Sequence, residues 1–85
     1  MNTETIVKQI LEDVIGVQGL ERDTRFLDVG GNSLNLVEIL KQLKVRTGVV
    51  PSPRLFFDKE QSTIVGISRA IDALRSESLA DSNVA

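Results

Sequence analysis

Apolar residues recur at helical spacing in three separate spans of this chain, and between them the period fails. The first span is Ile6, Val7, Ile10, Leu11, Val14 and Ile15, the second Leu36, Ile39, Leu40 and Leu43, and the third Ile64, Ile67, Ile71 and Leu74. Recurrence at i, i+3, i+4 and i+7 places one apolar stripe on each of three helices. Thr3 is the expected cap of the first helix. Gly16 is its expected left-handed stop, with Val17 behind it as the hydrophobic partner of a Schellman ending. The second helix is expected from Ser33 to Thr47, with Gly48 ending it. Either Ser62 or Thr63 starts the last, where Gly66 permits close packing. Before it, Pro51-Ser52-Pro53-Arg54-Leu55-Phe56-Phe57 reads as a short helical turn, with Ser52 as cap and Pro53 at the first helical position. After Arg75 the period is lost, so 1–75 is expected to form the domain and 76–85 a frayed tail.

Two regions do not follow from core periodicity alone. Gly16–Asn32 is long for a helix connection in a compact domain, and such loops are usually functional or internally packed. Val17, Leu20, Phe26, Leu27 and Val29 are its expected anchors. On the second helix, steps of about 100° place Leu36, Ile39, Leu40 and Leu43 in one arc. Leu34, Val37 and Val45 fall on the opposite side, among Glu38, Lys41 and Lys44. A helix with one buried face has no core use for them there. Contact with the long loop or the third helix is one use for them; flanking Ser33 on its own side, Leu34 and Val37 are expected to touch a partner instead.

Composition narrows the class. The 85 residues are 41% hydrophobic with three Phe, no Tyr and no Trp, so the core is aliphatic. Such a core suits packed helices better than a sheet, and with the three periodic spans the expected fold is a small antiparallel all-α bundle, three main helices plus one short third helix. A net charge of −2 supplies no basic field for nucleic acid. Lys8, Gln9 and Glu12 interrupt the N-terminal apolar run, so neither a signal peptide nor a membrane span is expected, and the cytoplasm is the default location. With no His and no Cys, the chain has no Ser-His-Asp triad, no thiolate and no His- or Cys-ligated zinc. No residue is placed to activate a serine strongly, Asp28 being the nearest and a weak base. A serine that reacts here needs another protein to activate it, so a carrier or substrate is expected rather than an enzyme.

The candidate serine lies in Phe26-Leu27-Asp28-Val29-Gly30-Gly31-Asn32-Ser33-Leu34. Two glycines bare the backbone before an Asn-Ser pair that opens the second helix. A phosphate on Ser33 Oγ would face the positive end of the helix dipole. From geometry alone, an ordinary glycine turn followed by an ordinary helix cap is the favoured reading. The stretch resembles the modification site of phosphopantetheine-dependent carrier proteins, and Gly30-Gly31-Asn32-Ser33-Leu34 is most similar to peptidyl carrier proteins of nonribosomal peptide synthesis. Fatty-acid carriers usually have Asp where this chain has Asn32. The likeness continues through Leu36-Val37-Glu38-Ile39-Leu40 towards Leu74.

The resemblance implies an acyl-carrier-like bundle with 4′-phosphopantetheine, taken from coenzyme A, joined covalently to Ser33. It also implies that Asp28, Gly30, Gly31, Asn32, Leu34, Val37 and Lys41 form the surface that partners meet. Those partners would be a phosphopantetheinyl transferase, an amino-acid adenylation enzyme, and condensation, tailoring or thioesterase enzymes. A monomer carrying an aminoacyl thioester is expected. Met1 just before the first helix and the short tail fit a free-standing type II carrier. Acyl, aryl or D-alanyl cargo is the alternative within the class, and a helical protein-interaction domain with Ser33 only a helix cap is the alternative outside it. Glu38 is the second helix's only acid against Lys41, Lys44 and Arg46, which departs from the acidic second helix of fatty-acid carriers.

Overall fold

The computed structural model of the chain describes the backbone of residues 2–84 and the side chains of residues 2–77. Its helices are α1 (Thr3–Ile15), α2 (Ser33–Thr47) and α3 (Ile64–Val84), with 3₁₀ turns at Leu27–Val29 and Pro53–Phe57. The architecture is all-α, as the periodicity and composition predict. The expected short third helix is a single 3₁₀ turn, with Pro53 in its first position.

α1 packs along both α2 and α3. Val7, Ile10 and Leu11 meet Leu36, Ile39 and Leu43 of α2 and Ile64, Ile67 and Ile71 of α3 in one buried cluster. Leu20, Phe26 and Phe56 complete it from the connections. Leu40 was expected in the same arc but stands at its edge, only partly buried. It lies one 100° step past Ile39, and α1 covers a narrower strip than that.

The helix ends show which local signals prevail. α1 is capped by Asn2, one residue before the expected Thr3: Asn2 Oδ1 accepts from the Thr5 amide at 2.8 Å. Asn outranks Thr as a cap, and the Thr3 hydroxyl instead donates to Asp72 Oδ1 at 2.6 Å, tying α1 to α3. At the other end Gly16 (φ 85°) and Val17 donate to the Glu12 carbonyl at 2.9 and 3.1 Å. The Val17 bond is the one that defines the expected Schellman ending. α3 takes Thr63 as its cap, whose Oγ1 accepts from the Gly66 amide at 3.0 Å. A side chain at Gly66 would collide with the Gln61 backbone, which packs directly against α3.

The long connection is stitched down rather than loose. The Leu20 amide donates to Glu12 Oε2 at 3.1 Å, the Val65 amide to the Arg22 carbonyl at 3.1 Å, and the Phe26 amide to the Ser62 carbonyl at 3.0 Å. Arg25 and Thr63 form an antiparallel bridge beside these bonds. Val17, Leu20, Phe26 and Val29 anchor it as expected. Leu27 does not, being 49% exposed because its 3₁₀ turn faces it outward.

Asp58 closes the link into α3. Its Oδ1 accepts from the amides of Glu60 at 2.8 Å and Gln61 at 2.9 Å. Those bonds, the Gln61 one first, hold the Asp58 carboxyl below its ordinary value. A depressed folded-state value means the contribution is complete above the unfolded-state value, about pH 4, and fades as pH falls through the folded one. Asp58→Asn keeps an oxygen for the same two amides but cannot titrate. Its melting temperature should fall less than wild type between pH 5 and pH 2; parallel acid limbs would remove Asp58 from the acid response.

Helical backbone in α3 outlasts the apolar period and reaches Val84. The last fully buried side chain of α3 among the described residues is Ile71, and Arg75, Ser76 and Glu77 are exposed. Leu79 lies outside the described side chains. Truncation after Arg75 should therefore change unfolding free energy by no more than about 0.5 kcal/mol, as for surface changes. A larger loss in a urea titration would show that the removed residues dock on the bundle.

Candidate functional site

The site is built where the long connection meets α2. The 3₁₀ turn Leu27–Val29 is stopped by Gly30, whose φ of 86° belongs to the left-handed region that glycine occupies without a Cβ penalty. Asn32 then takes an extended conformation and caps α2, its Oδ1 accepting from the Asn35 amide at 3.0 Å. The Leu36 amide donates to the Asn32 carbonyl at 2.9 Å. By helix geometry the amides of Ser33 and Leu34 have no partner inside α2.

Ser33 is thus the first helical residue and not the cap. Asn32 performs the capping, so the reading of Ser33 as only a cap is corrected. Ser33 is exposed, and among the described residues its hydroxyl makes no hydrogen bond. Asp28, the nearest candidate base, accepts from Arg25 Nε at 3.1 Å. Both of those side chains are about half exposed, so the pair is screened and contributes little to stability.

The expected partner surface divides into two parts. Asp28, Gly30 and Asn32 are exposed in the loop before Ser33, while Gly31 is half-buried because it rests against the Phe26 ring. Leu34, Val37 and Lys41 form a stripe at i, i+3 and i+7 that runs away from Ser33. Leu34 is 83% exposed and Val37 59%, so neither belongs to the core. Lys41 is exposed and stands 4.0 Å from Glu38. The other two bases lie at the far end of α2. Lys44 Nζ donates to the Gly48 carbonyl at 3.3 Å and Arg46 Nη2 to Gln9 Oε1 at 3.1 Å. Positive charge there complements the helix dipole, and Lys41 alone carries it towards Ser33.

Away from this surface, a cleft between α1, the long connection and α3 is lined by Glu4, Lys8, Leu20, Arg22, Thr63 and Arg69, and its lining includes none of Asp28–Leu34. Arg22 there pairs with Glu4 at 2.6 Å, which raises the guanidinium further above its ordinary range. No group of His, Cys, Asp and Glu able to hold a metal occurs among the described residues. No helix among them is long and apolar enough to cross a membrane.

Comparison with known proteins decides the family. Residues 5–71 match the family described as "Phosphopantetheine attachment site". The chain belongs to this family. Its members carry a covalently attached 4′-phosphopantetheine. Two curated relatives agree with the assignment. Over 58 residues, 68% of this chain, it is 31% identical to CymA of Salinispora arenicola, described as a "Probable non-canonical nonribosomal peptide synthetase (NRPS)". Over 63 residues, 73% of this chain, it is 40% identical to the hybrid PKS-NRPS synthetase mycA of Thermothelomyces thermophilus. The matched segments are 1% and 2% of those two proteins, so the chain corresponds to a small part of each.

The residues around Ser33 fit such a group. A phosphodiester on an exposed hydroxyl at the start of α2 would face unpartnered amides and the positive dipole end. Gly30 and Gly31 place no side chain before it. Sequence reasoning did not find two supports of this loop: the Phe26 ring beneath Gly31, and the bond from Phe26 to Ser62. An aromatic shortly before a Gly-Gly pair is the available signal for the first, and nothing in the sequence marks the second.

Proposed function

We propose that this chain is a peptidyl carrier protein of nonribosomal peptide biosynthesis, with Ser33 the attachment residue. The observation that supports it most is an uncapping, exposed serine at the first turn of α2 in a chain of the phosphopantetheine attachment family. NRPS descriptions of both relatives support the peptidyl type.

A phosphopantetheinyl transferase would supply the base that the chain lacks. Ser33 Oγ attacks the β-phosphorus of coenzyme A, the hydroxyl proton passes to the transferase, and the phosphoanhydride bond to 3′,5′-ADP breaks. When bound, the group supplies a terminal thiol on which an aminoacyl unit is held as a thioester. The chain's own residues make none of these bonds. α2 presents the serine, its first-turn amides favour the phosphodiester anion, and Leu34, Val37 and Lys41 offer the surface that partner enzymes meet. Adenylation, condensation, tailoring and thioesterase enzymes are those partners. Attachment makes their encounters with the cargo intramolecular, at high effective concentration.

The test is intact mass after incubation with coenzyme A and a broad-specificity transferase. Holo protein is then offered to amino-acid and to fatty-acyl adenylating enzymes. Gain of phosphopantetheine followed by aminoacyl loading is the expected result. Loading by acyl substrates alone would favour the acyl reading, which the hybrid PKS-NRPS description of one relative makes the second choice.

A further inference from the structure

We propose that Gly31 is a positioning residue for Ser33 that acts through the ring of Phe26. The inference rests on Ser33 as the attachment residue. The two adjacent glycines serve different needs. Gly30 supplies a left-handed φ, but Gly31 has no such φ and is required by space instead. A Cβ on Gly31 would lie 2.5–2.6 Å from Cε1, Cδ1 and Cζ of Phe26, far inside van der Waals contact.

The ring has nowhere to go. Phe26 is fully buried, with its ring edge-on to Phe56 at 5.4 Å and to Phe57 at 6.1 Å between centroids. Its backbone is fixed on both sides, the amide by Ser62 at 3.0 Å and the carbonyl by the Gly31 amide at 3.1 Å. A side chain at position 31 would therefore push the Gly31 backbone outward. Asn32 follows directly and makes both bonds that cap α2, so the displacement passes to the cap and to Ser33. Beyond the first turn α2 is held by Leu36, Ile39 and Leu43 in the core, so Val37 and Lys41 of the exposed stripe keep their place.

This geometry predicts how kinetics divide. In Gly31→Ala the transferase should still dock but find Ser33 Oγ displaced. Its kcat at saturating carrier should fall about 10- to 100-fold, as misplacement of a reacting group by an ångström does. KM for the carrier should stay near wild type. A variant that merely unfolds behaves oppositely: dilution of the competent fraction raises apparent KM and leaves kcat intact.

The experiment measures kcat and KM of a phosphopantetheinyl transferase with coenzyme A on wild type, Gly31→Ala, Phe26→Leu and the double variant, with the folded fraction of each fixed by circular dichroism and denaturant melts. Phe26→Met replaces Phe26→Leu should the latter fold poorly, because unbranched Met adapts to irregular space. Removing the ring should relieve the methyl, bringing the double variant's kcat to within about threefold of the Phe26 variant alone, a non-additive pair. An unchanged kcat in Gly31→Ala overturns the proposal, as does a loss confined to KM. A double variant no better than Gly31→Ala overturns the route through Phe26. Wild type modified elsewhere than Ser33, read by peptide mass mapping, would instead overturn the attachment reading.

Discussion

Ser33→Ala should fold with wild-type stability and gain no phosphopantetheine at all. The substitution removes an exposed hydroxyl that makes no hydrogen bond among the described residues. Asn32 keeps the cap, and Ala is the best helix former, so α2 loses nothing. Chemically the loss is expected to be complete, because no other serine in the sequence follows a Gly-Gly pair. Ser62 and Ser68 are buried, and the Ser68 hydroxyl donates to the Ile64 carbonyl at 2.7 Å. Ser52 is exposed but precedes Pro53 at the 3₁₀ turn, with no glycines before it. Intact mass with coenzyme A and a transferase decides the matter: any phosphopantetheine gained by Ser33→Ala rejects Ser33 as the attachment residue.

Opposite faces of α2 should separate stability from recognition. Ile39 is fully buried in the core cluster, so Ile39→Ala should cost about 2–5 kcal/mol. In a domain of this size that is a large share of total stability. Leu34 is 83% exposed, so Leu34→Ala should cost under about 0.5 kcal/mol. It should nonetheless lower transferase kcat/KM about tenfold, as loss of an apolar anchor beside a docking site does. Denaturant melts and transferase kinetics on both variants check the pair. Equal destabilisation by the two would mean that Leu34 is buried in solution.

The three main helices were legible because each has an apolar period, and the first two also have a chemical stop. Gly16 and Gly48 end α1 and α2 as the sequence predicts, and Ser33–Thr47 is the predicted span of α2. Ser33, Leu34 and Val37 were legible through a short motif and a face with no core use. What the sequence hid is long-range. Thr3 and Asn2 are both acceptable caps locally, and the acceptor that Asp72 offers to Thr3 on α3 is invisible from residues 1–5. Leu40 belongs to the right arc by angle, but the width of what α1 covers depends on packing. In the sequence the second glycine of Gly30-Gly31 only bares the backbone before Asn32 and Ser33. Its reason is a ring fixed by Phe56 and Phe57, which only the folded chain brings together.

The stitching of the long connection has a consequence for the order of events in synthesis. Phe26 reaches its place through the Ser62 carbonyl, and Arg25 and Arg22 through Thr63 and Val65. All three partners are at or near the start of α3, which leaves the ribosome after α1 and α2. Contacts so distant in sequence form late, after local helices. A nascent chain that has extruded Ser33 but not yet Val65 has the serine and its motif without the platform that holds them. Under the proposed attachment at Ser33, the loop would be complete only in a folded chain. A transferase that reads its shape would then pass over unfinished chains and spend coenzyme A on molecules whose core has already closed.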